Sequence, residues 1–250
     1  RGRLHGSVKF IFQPAEEGLG GAERMIVEGV LRDPAPQTCL SMHLWNEKPV
    51  GWYGIKPGPL MAGADTFRLA LAGKGGHGAL PHQAIDPVAA AAQVIMALQT
   101  IVSRNLSPLE SAVVTVATVR AGEAFNVIPQ TAELSGTIRT FDEAVREKIV
   151  ERMNEIMLGV AGAMGCEARL EIQKITPPVI NDVKIAQAVA AVMQEMYPSE
   201  HLEADCMSMV SEDMSFIMQQ VPGCYFLVGS ANPDKGLNFG HHHPKFDFDD

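Results

Sequence analysis

Two glutamates, Glu16 and Glu17, stand side by side in "FQPAEEG" (12–18), directly after a proline and at the end of the apolar run "SVKFIF". Adjacent side chains on a strand point to opposite faces. Proline cannot donate to a strand ladder, so Pro14 puts the pair in the turn at a strand's carboxyl end, where α/β sheets place their sites. Two carboxylates splayed there could divide labour. One could hold a cation while the other takes a proton from the water that cation polarises; a solvated acidic turn is the alternative. His43 closes a second apolar run, "TCLSMHL" (38–44), at what reads as another strand end, as a structural histidine or a ligand. "GHHHPKF" (240–246) adds three consecutive histidines. Together these sites offer the carboxylate and imidazole ligands that zinc, manganese or cobalt accept.

Three further residues have chemistry to offer. His77 lies in the glycine-rich "GKGGHGALPH" (73–82), open to a hydrogen-bonding or proton-handling role or to no more than a flexible turn; no Lys-Ser/Thr follows, so the glycines form no P-loop. Asn126 in "AFNVIP" and Arg139 in "GTIRT" fall at strand edges. Arg139 could grip a carboxylate with two parallel hydrogen bonds, or form a surface ion pair.

The elements that must carry these residues change style along the chain. A buried strand is predicted over 7–13 and a helix over 21–30, with Ala22, Met25, Ile26 and Val30 on one face. The Gly- and Pro-rich passage 48–64 breaks the pattern. Residues 65–72 then alternate with strand period, and a helix is predicted from Asp86 to Ser103 with Val88, Ala91, Ala92, Ile95, Leu98 and Val102 as its stripe. Strand period returns over 111–119 and 131–140. A long helix follows, opened by a capping box of Thr140 and Glu143 and striped by Val145, Ile149, Met153, Ile156 and Val160. Residues 168–175 alternate once more. That order, β-α-β-β-α-β, is a ferredoxin-like unit. After "TPP" (176–178) the chain reverts to α/β style, with a helix at about 182–196, then "SEDMSFIMQQ" and the apolar strand "CYFLVG". An α/β domain interrupted by a compact insert accounts for this better than two domains in series.

The bulk properties narrow the partners. The 250 residues are 46% hydrophobic and 20% charged, enough to bury a core. A net charge of -9 argues against nucleic acid, which needs a basic face. Four scattered cysteines with no CxxC pair fit a reducing cytoplasm better than a disulfide scaffold. No apolar run approaches the ~18 residues of a membrane span, and no signal peptide is visible.

Six strings, "FQPAEEG", "MHLW", "GGHGALPH", "NVIPQTAELSGTIRTFD", "SEDMSF" and "HHHPKFDFDD", occur in the order seen in the aminoacylase, hippurate hydrolase and indoleacetyl-amino-acid hydrolase group. The chain resembles that family of dinuclear-metal amidohydrolases over essentially its whole length. The resemblance implies an α/β catalytic domain of the zinc-aminopeptidase type, in 1–64 and 176–250, interrupted over 65–175 by a ferredoxin-like α+β dimerisation domain. It implies two divalent ions (Zn, Mn, Co or Ni), a homodimer or a tetramer of paired dimers, and an N-acyl amino acid as substrate. Matched motif by motif, Glu16 resembles the general base, and Glu17, His43 and His242 the metal ligands; His242 stands two before the proline, as the family's ligand does. His241 and His243 receive no role. His77 resembles a histidine that reaches into the partner subunit's site and helps hold the scissile carbonyl oxygen. Asn126 and Arg139 are similar to residues that grip the substrate, Arg139 at its free carboxylate, while Glu212 and Asp213 resemble supports that orient ligands. The family's first metal motif and leading strands precede the glutamate pair, and here only 15 residues do. An N-terminally incomplete catalytic domain is therefore expected. The other class of reading is a non-catalytic, dimerising or ligand-binding relative with an incomplete metal site.

Overall fold

The computed structural model describes residues 5–18 and 20–249. The chain forms two compact units, one from residues 1–62 and 176–250 and the other from 63–175.

The first unit is built on a four-stranded sheet in the order Cys39–Pro49, Gly223–Ala231, Trp52–Gly54, His201–Glu203. The first two strands run parallel, with Cys39 opposite Gly223 and His43 opposite Leu227. Strand Gly223–Ala231 is apolar at nearly every position because both faces are covered. Tyr225 and Leu227 pack with Trp52, Leu60, Met61 and Val179. Cys224 turns the other way, towards Tyr53, Ile55 and Ala186 of helix Val183–Met196. Helix Gly21–Val27 joins the short helix Met214–Met218 through Ala22, Cys39, Ile217 and Val221.

Two expectations fail in this unit. Residues 7–13 form no strand, and Val8, Phe10 and Phe12 are 59%, 78% and 87% exposed. Their alternation is strand-like, but a strand exists only where a neighbour completes its backbone hydrogen bonds, and no described residue pairs with this segment. His43, expected at a strand end, sits inside one, because the strand continues through polar residues to Pro49.

The second unit follows the order strand Gly63–Ala72, helix Pro87–Thr100, strands Ala112–Ala121 and Thr131–Thr140, helix Glu143–Ala163, strand Glu167–Thr176. Its sheet order is Ala112–Ala121, Thr131–Thr140, Gly63–Ala72, Glu167–Thr176. Phe67, Leu69, Leu71, Leu134 and Ile138 on one face share a single core with both helices. The other face is polar and carries the Arg68–Glu133 ion pair and the Thr118–Ser135 hydroxyl pair. Gly136 lies opposite Phe67 in register. A Cβ there would overlap the Thr115 carbonyl oxygen and stand 2.6 Å from the Phe67 ring, so only glycine leaves the ring its place.

Both helices are displaced from the predicted pattern in detail. Asp142, not Thr140, caps the long helix, accepting from the N–H groups of Ala144 and Val145 at 2.8 and 3.1 Å; Thr140 is still in the strand, buried. The long helix buries Val145, Ile149, Met153, Met157 and Ala161 at a strict four-residue spacing, and the predicted Ile156 and Val160 pack half-buried beside them. Helix Pro87–Thr100 buries Ala90, Ala91, Val94, Leu98 and the following Ile101, leaving Val88 and Val102 exposed. It is apolar nearly all round, so sequence pattern alone does not select its inner face. Pro87–Asn105 is long and apolar enough to cross a membrane by length and composition, contrary to the sequence reading, but one side of it belongs to this core.

Candidate functional site

Glu16 and Glu17 occupy a turn that enters helix Gly21–Val27. Ala15 adopts φ 60°, a left-handed conformation that costs a residue with a Cβ about 1–2 kcal/mol. A Cβ on Gly21 would overlap the carbonyl oxygen of Pro14, so glycine is what lets the turn close onto the helix start.

Asp213 holds both sides of this turn. Almost fully buried, it accepts from the Gln13 side-chain amide and, at 3.1 Å, from the backbone N–H of Ala22. Glu212, also buried, accepts from the Tyr225 hydroxyl at 2.6 Å and the Met214 N–H at 3.2 Å. Glu16, Glu212 and Asp213 bring carboxylate oxygens within 4.8 Å of one another. Burial, then the charges of Glu212, Asp213 and Glu17, push Glu16 up to about 6, against a hydrogen bond from the Asp213 backbone. A carboxyl so placed both accepts and releases a proton near neutrality, as a general base must. Asp213 is bonded to donors on both sides of the turn and Glu212 to Tyr225 and Met214, and the charges of both raise Glu16. Burial and the Glu212 carboxylate push the Tyr225 hydroxyl far up, which keeps it a donor.

Of the three expected ligands, Glu17 and His242 form a pair, while His43 stands against His241, to which no role was given. Glu17 Oε2 and His242 Nε2 lie 4.0 Å apart, within reach of one ion, since two donors each about 2.1 Å from a metal stand at most about 4.2 Å apart. His43 pairs with His241, ring centroids 4.8 Å apart and edge-on, and His241 also contacts Trp45 and Phe246. Among the described residues no three of Glu17, His43, His241 and His242 converge within 4.8 Å. The donor chemistry fits a divalent metal nonetheless. His43 Nδ1 is 2.6 Å from the Leu44 carbonyl oxygen. That bond puts the proton on Nδ1 and leaves the Nε2 lone pair free, the tautomer a metal-ligating histidine commonly takes. Glu17 and His242 are exposed, and His242 has φ 64°.

Asn46 was not foreseen. It is buried three residues beyond His43, and its amide bonds to the carbonyl oxygens of Phe239 and Asp247, on either side of the histidine loop. The signal available in sequence was a polar residue continuing an apolar strand, which does not say what it binds.

In the second unit, His77 and Asn126 come together. Gly76–His77 pairs with Val127–Ile128, and the Gly78 N–H donates to the Asn126 carbonyl oxygen at 2.8 Å. His77 Nδ1 accepts from the Ala79 N–H at 3.1 Å, so its proton resides on Nε2, on an exposed ring. Arg139 lies elsewhere, in strand Thr131–Thr140 opposite Ala64 and Val113. It is half-buried, and burial lowers its pKa against the opposing influence of Asp65. Asp65 is itself bonded to Arg146 at 2.5 Å.

All four cysteines are buried and free. Burial pushes Cys39 and Cys206 up to about 11 and Cys224 to about 12, so these thiols are poor nucleophiles and poor metal ligands.

The chain is 38% identical over 251 residues to an N-acetylcysteine deacetylase of Bacillus subtilis, covering 100% of this chain and 63% of that protein. It is 36% identical over 248 residues to an IAA-amino acid hydrolase of Arabidopsis thaliana, covering 98% and 56%. The crystal structure of the Bacillus subtilis YXEP protein, a dinuclear metal binding peptidase from the M20 family, superposes with a TM-score of 0.79 at 32% identity, over 95% of this chain and 58% of that one. The chain thus spans about three fifths of the length of these relatives. Its α/β fold is theirs, and the profile of Peptidase family M20/M25/M40 matches residues 1–250, so the chain belongs to that family.

Proposed function

We propose that the protein hydrolyses the amide bond of N-acyl-L-amino acids with Glu16 as general base towards the attacking water, at a site whose residues would hold two divalent ions. The observation that carries this is Glu16: a half-buried carboxyl poised at about 6 beside two buried carboxylates, adjacent in the chain to Glu17, which faces His242 at 4.0 Å. The named relatives, a deacetylase of an acylated amino acid and a hydrolase of amino-acid conjugates, support the substrate class.

Glu17, His43 and His242 would hold the metal, and this oxygen and nitrogen set suits zinc, manganese, cobalt or nickel. When bound, it supplies Lewis-acid polarisation of water and of the scissile carbonyl. Glu16 takes the proton from the attacking water and returns it to the departing amine nitrogen. His77, with Nε2–H free, donates to the carbonyl oxygen as charge develops there. We assign it to the site of a partner subunit in a homodimer, with residues 63–175 as the dimerising module. Asn126 holds the substrate, and Arg139 takes its free carboxylate with two parallel hydrogen bonds. The free, unreactive thiols support residence in a reducing cytoplasm.

The test is metal per chain after chelator washing and Mn or Zn repletion, followed by a panel of N-acetyl, N-benzoyl and indoleacetyl amino acids. Two ions per chain with amide cleavage would support the reading in full. Fewer than two ions would mean that the site in these residues is incomplete, as the missing first metal motif leads one to expect, and two ions without cleavage of any member would overturn the substrate class.

A further inference from the structure

We propose that Asn46 is a positioning residue for the histidine loop, holding residues 239–247 in register with the strand that carries His43; the inference rests on the metal-holding role given to that loop above. Asn46 is 2% exposed and lies inside strand Cys39–Pro49. Its Nδ2 donates to the Phe239 carbonyl oxygen at 2.7 Å and to the Asp247 carbonyl oxygen at 2.9 Å, bracketing the three histidines. Its Oδ1 accepts from the Ser230 hydroxyl at 2.9 Å, which fixes which way the amide points.

The residue type is chosen by this geometry. Two carbonyl oxygens need two donors on one short side chain, and the serine hydroxyl needs an acceptor; an amide supplies all three. An aspartate would turn an oxygen towards two carbonyl oxygens, and an apolar residue would take both donors away from them.

Besides ring contacts of His241 with His43, Trp45 and Phe246 and of Phe239 with His243, the loop has little backbone pairing to define it. Residues 239–247 contain no strand or helix, and their own backbone bonds are two turns, His243 N–H to Gly240 and Phe246 N–H to His243. Within that span His242 keeps φ 64°, which an untethered loop would relax. Asn46 and His43 share one strand, so the bracket ties the position of His241 and His242 to that of His43. Asp213 does the same for the glutamate turn, bonding to Gln13 before it and Ala22 after it.

The test compares Asn46→Asp with Asn181→Asp. Asn181 is equally buried and bonds to the Lys56 and Tyr225 backbone, away from the loop. Two readouts are taken on folded protein: hydrogen exchange in 239–247, and the Zn²⁺ dissociation constant by competition with a chelating dye. Asn46→Asp is expected to speed exchange in that segment and weaken Zn²⁺ about 10–100-fold, the usual cost of losing an outer support. Asn181→Asp is expected to lower the melting temperature with neither effect. Unchanged exchange and unchanged affinity in Asn46→Asp would overturn the proposal, as would equal loss of affinity in Asn181→Asp. If Asn46→Asp does not fold, Ser230→Ala decides: faster exchange in 239–247 supports the proposal and unchanged exchange overturns it. Wild-type protein that binds no Zn²⁺ would sink the metal reading, while the exchange comparison would still decide the bracket.

Discussion

The two units place most of their candidate functional side chains in different ways. In residues 63–175 the framework is regular: a four-stranded sheet, two helices and one apolar core. Arg139 rides on one of its strands and His77 on a two-residue strand. In residues 1–62 and 176–250, His43 rides on a strand, but Glu16, Glu17 and His242 stand on turns and loops, and buried polar side chains hold those segments. Regular structure positions a residue through backbone pairing that many sequences can make. A loop has no such ladder, so its placement rests on a few side chains whose donors and acceptors match it. The first arrangement should tolerate loss of a single polar contact, and the second should not.

The largest effect that would sharpen this contrast is chemical. Glu16→Gln is expected to lower kcat for an N-acyl amino acid by about 10²–10⁴, as loss of a general base does, with metal per chain unchanged. Comparable turnover would remove Glu16 from the mechanism. His77→Ala should lower turnover by ~100-fold or more, the cost of one oxyanion donor, with an unchanged melting temperature because the ring is exposed. An unaltered rate would sink that role.

Smaller effects probe the frameworks. Leu69→Ala empties a fully buried position in the second unit's core and should cost about 2–5 kcal/mol in denaturant unfolding. Gly136→Ala forces the Phe67 ring and the Thr115 backbone apart, for about 1–3 kcal/mol; a neutral result would mean that the sheet gives way there. Asp142→Ala removes the helix cap for about 1 kcal/mol. None of the three framework substitutions should alter metal per chain, and a change in that quantity would break the contrast between the units.

Legibility in the sequence followed the same division. The alternation of Phe67, Leu69 and Leu71 was visible because one sheet face is buried and the other is wet, which imprints period two on the residues. The helices were visible in extent but not in detail. Alanine-rich Pro87–Thr100 has apolar groups on all sides, so packing chose Val94 over Ile95. Asp142 displaced Thr140 as the cap because the strand keeps Thr140. The run 7–13 misled because an apolar run records hydrophobicity and says nothing about whether a neighbour is there to pair with it.

The candidate site was readable as a set of residue types in an order. "FQPAEEG", "MHLW" and "HHHPKFDFDD" named the carboxylates and imidazoles, because their chemistry belongs to the side chains and needs no partner to be recognised. Tertiary structure alone set Asp213 across the glutamate turn, 200 residues from Gln13. It set His241 beside His43, His242 opposite Glu17, and Asn46 beneath the histidine loop 193 residues away. A sequence records what each side chain can donate or accept, and local periodicity records which face is dry. Which donor meets which acceptor across such separations is decided only when the sheet brings them within hydrogen-bonding distance, and there the pKa of Glu16 is decided too.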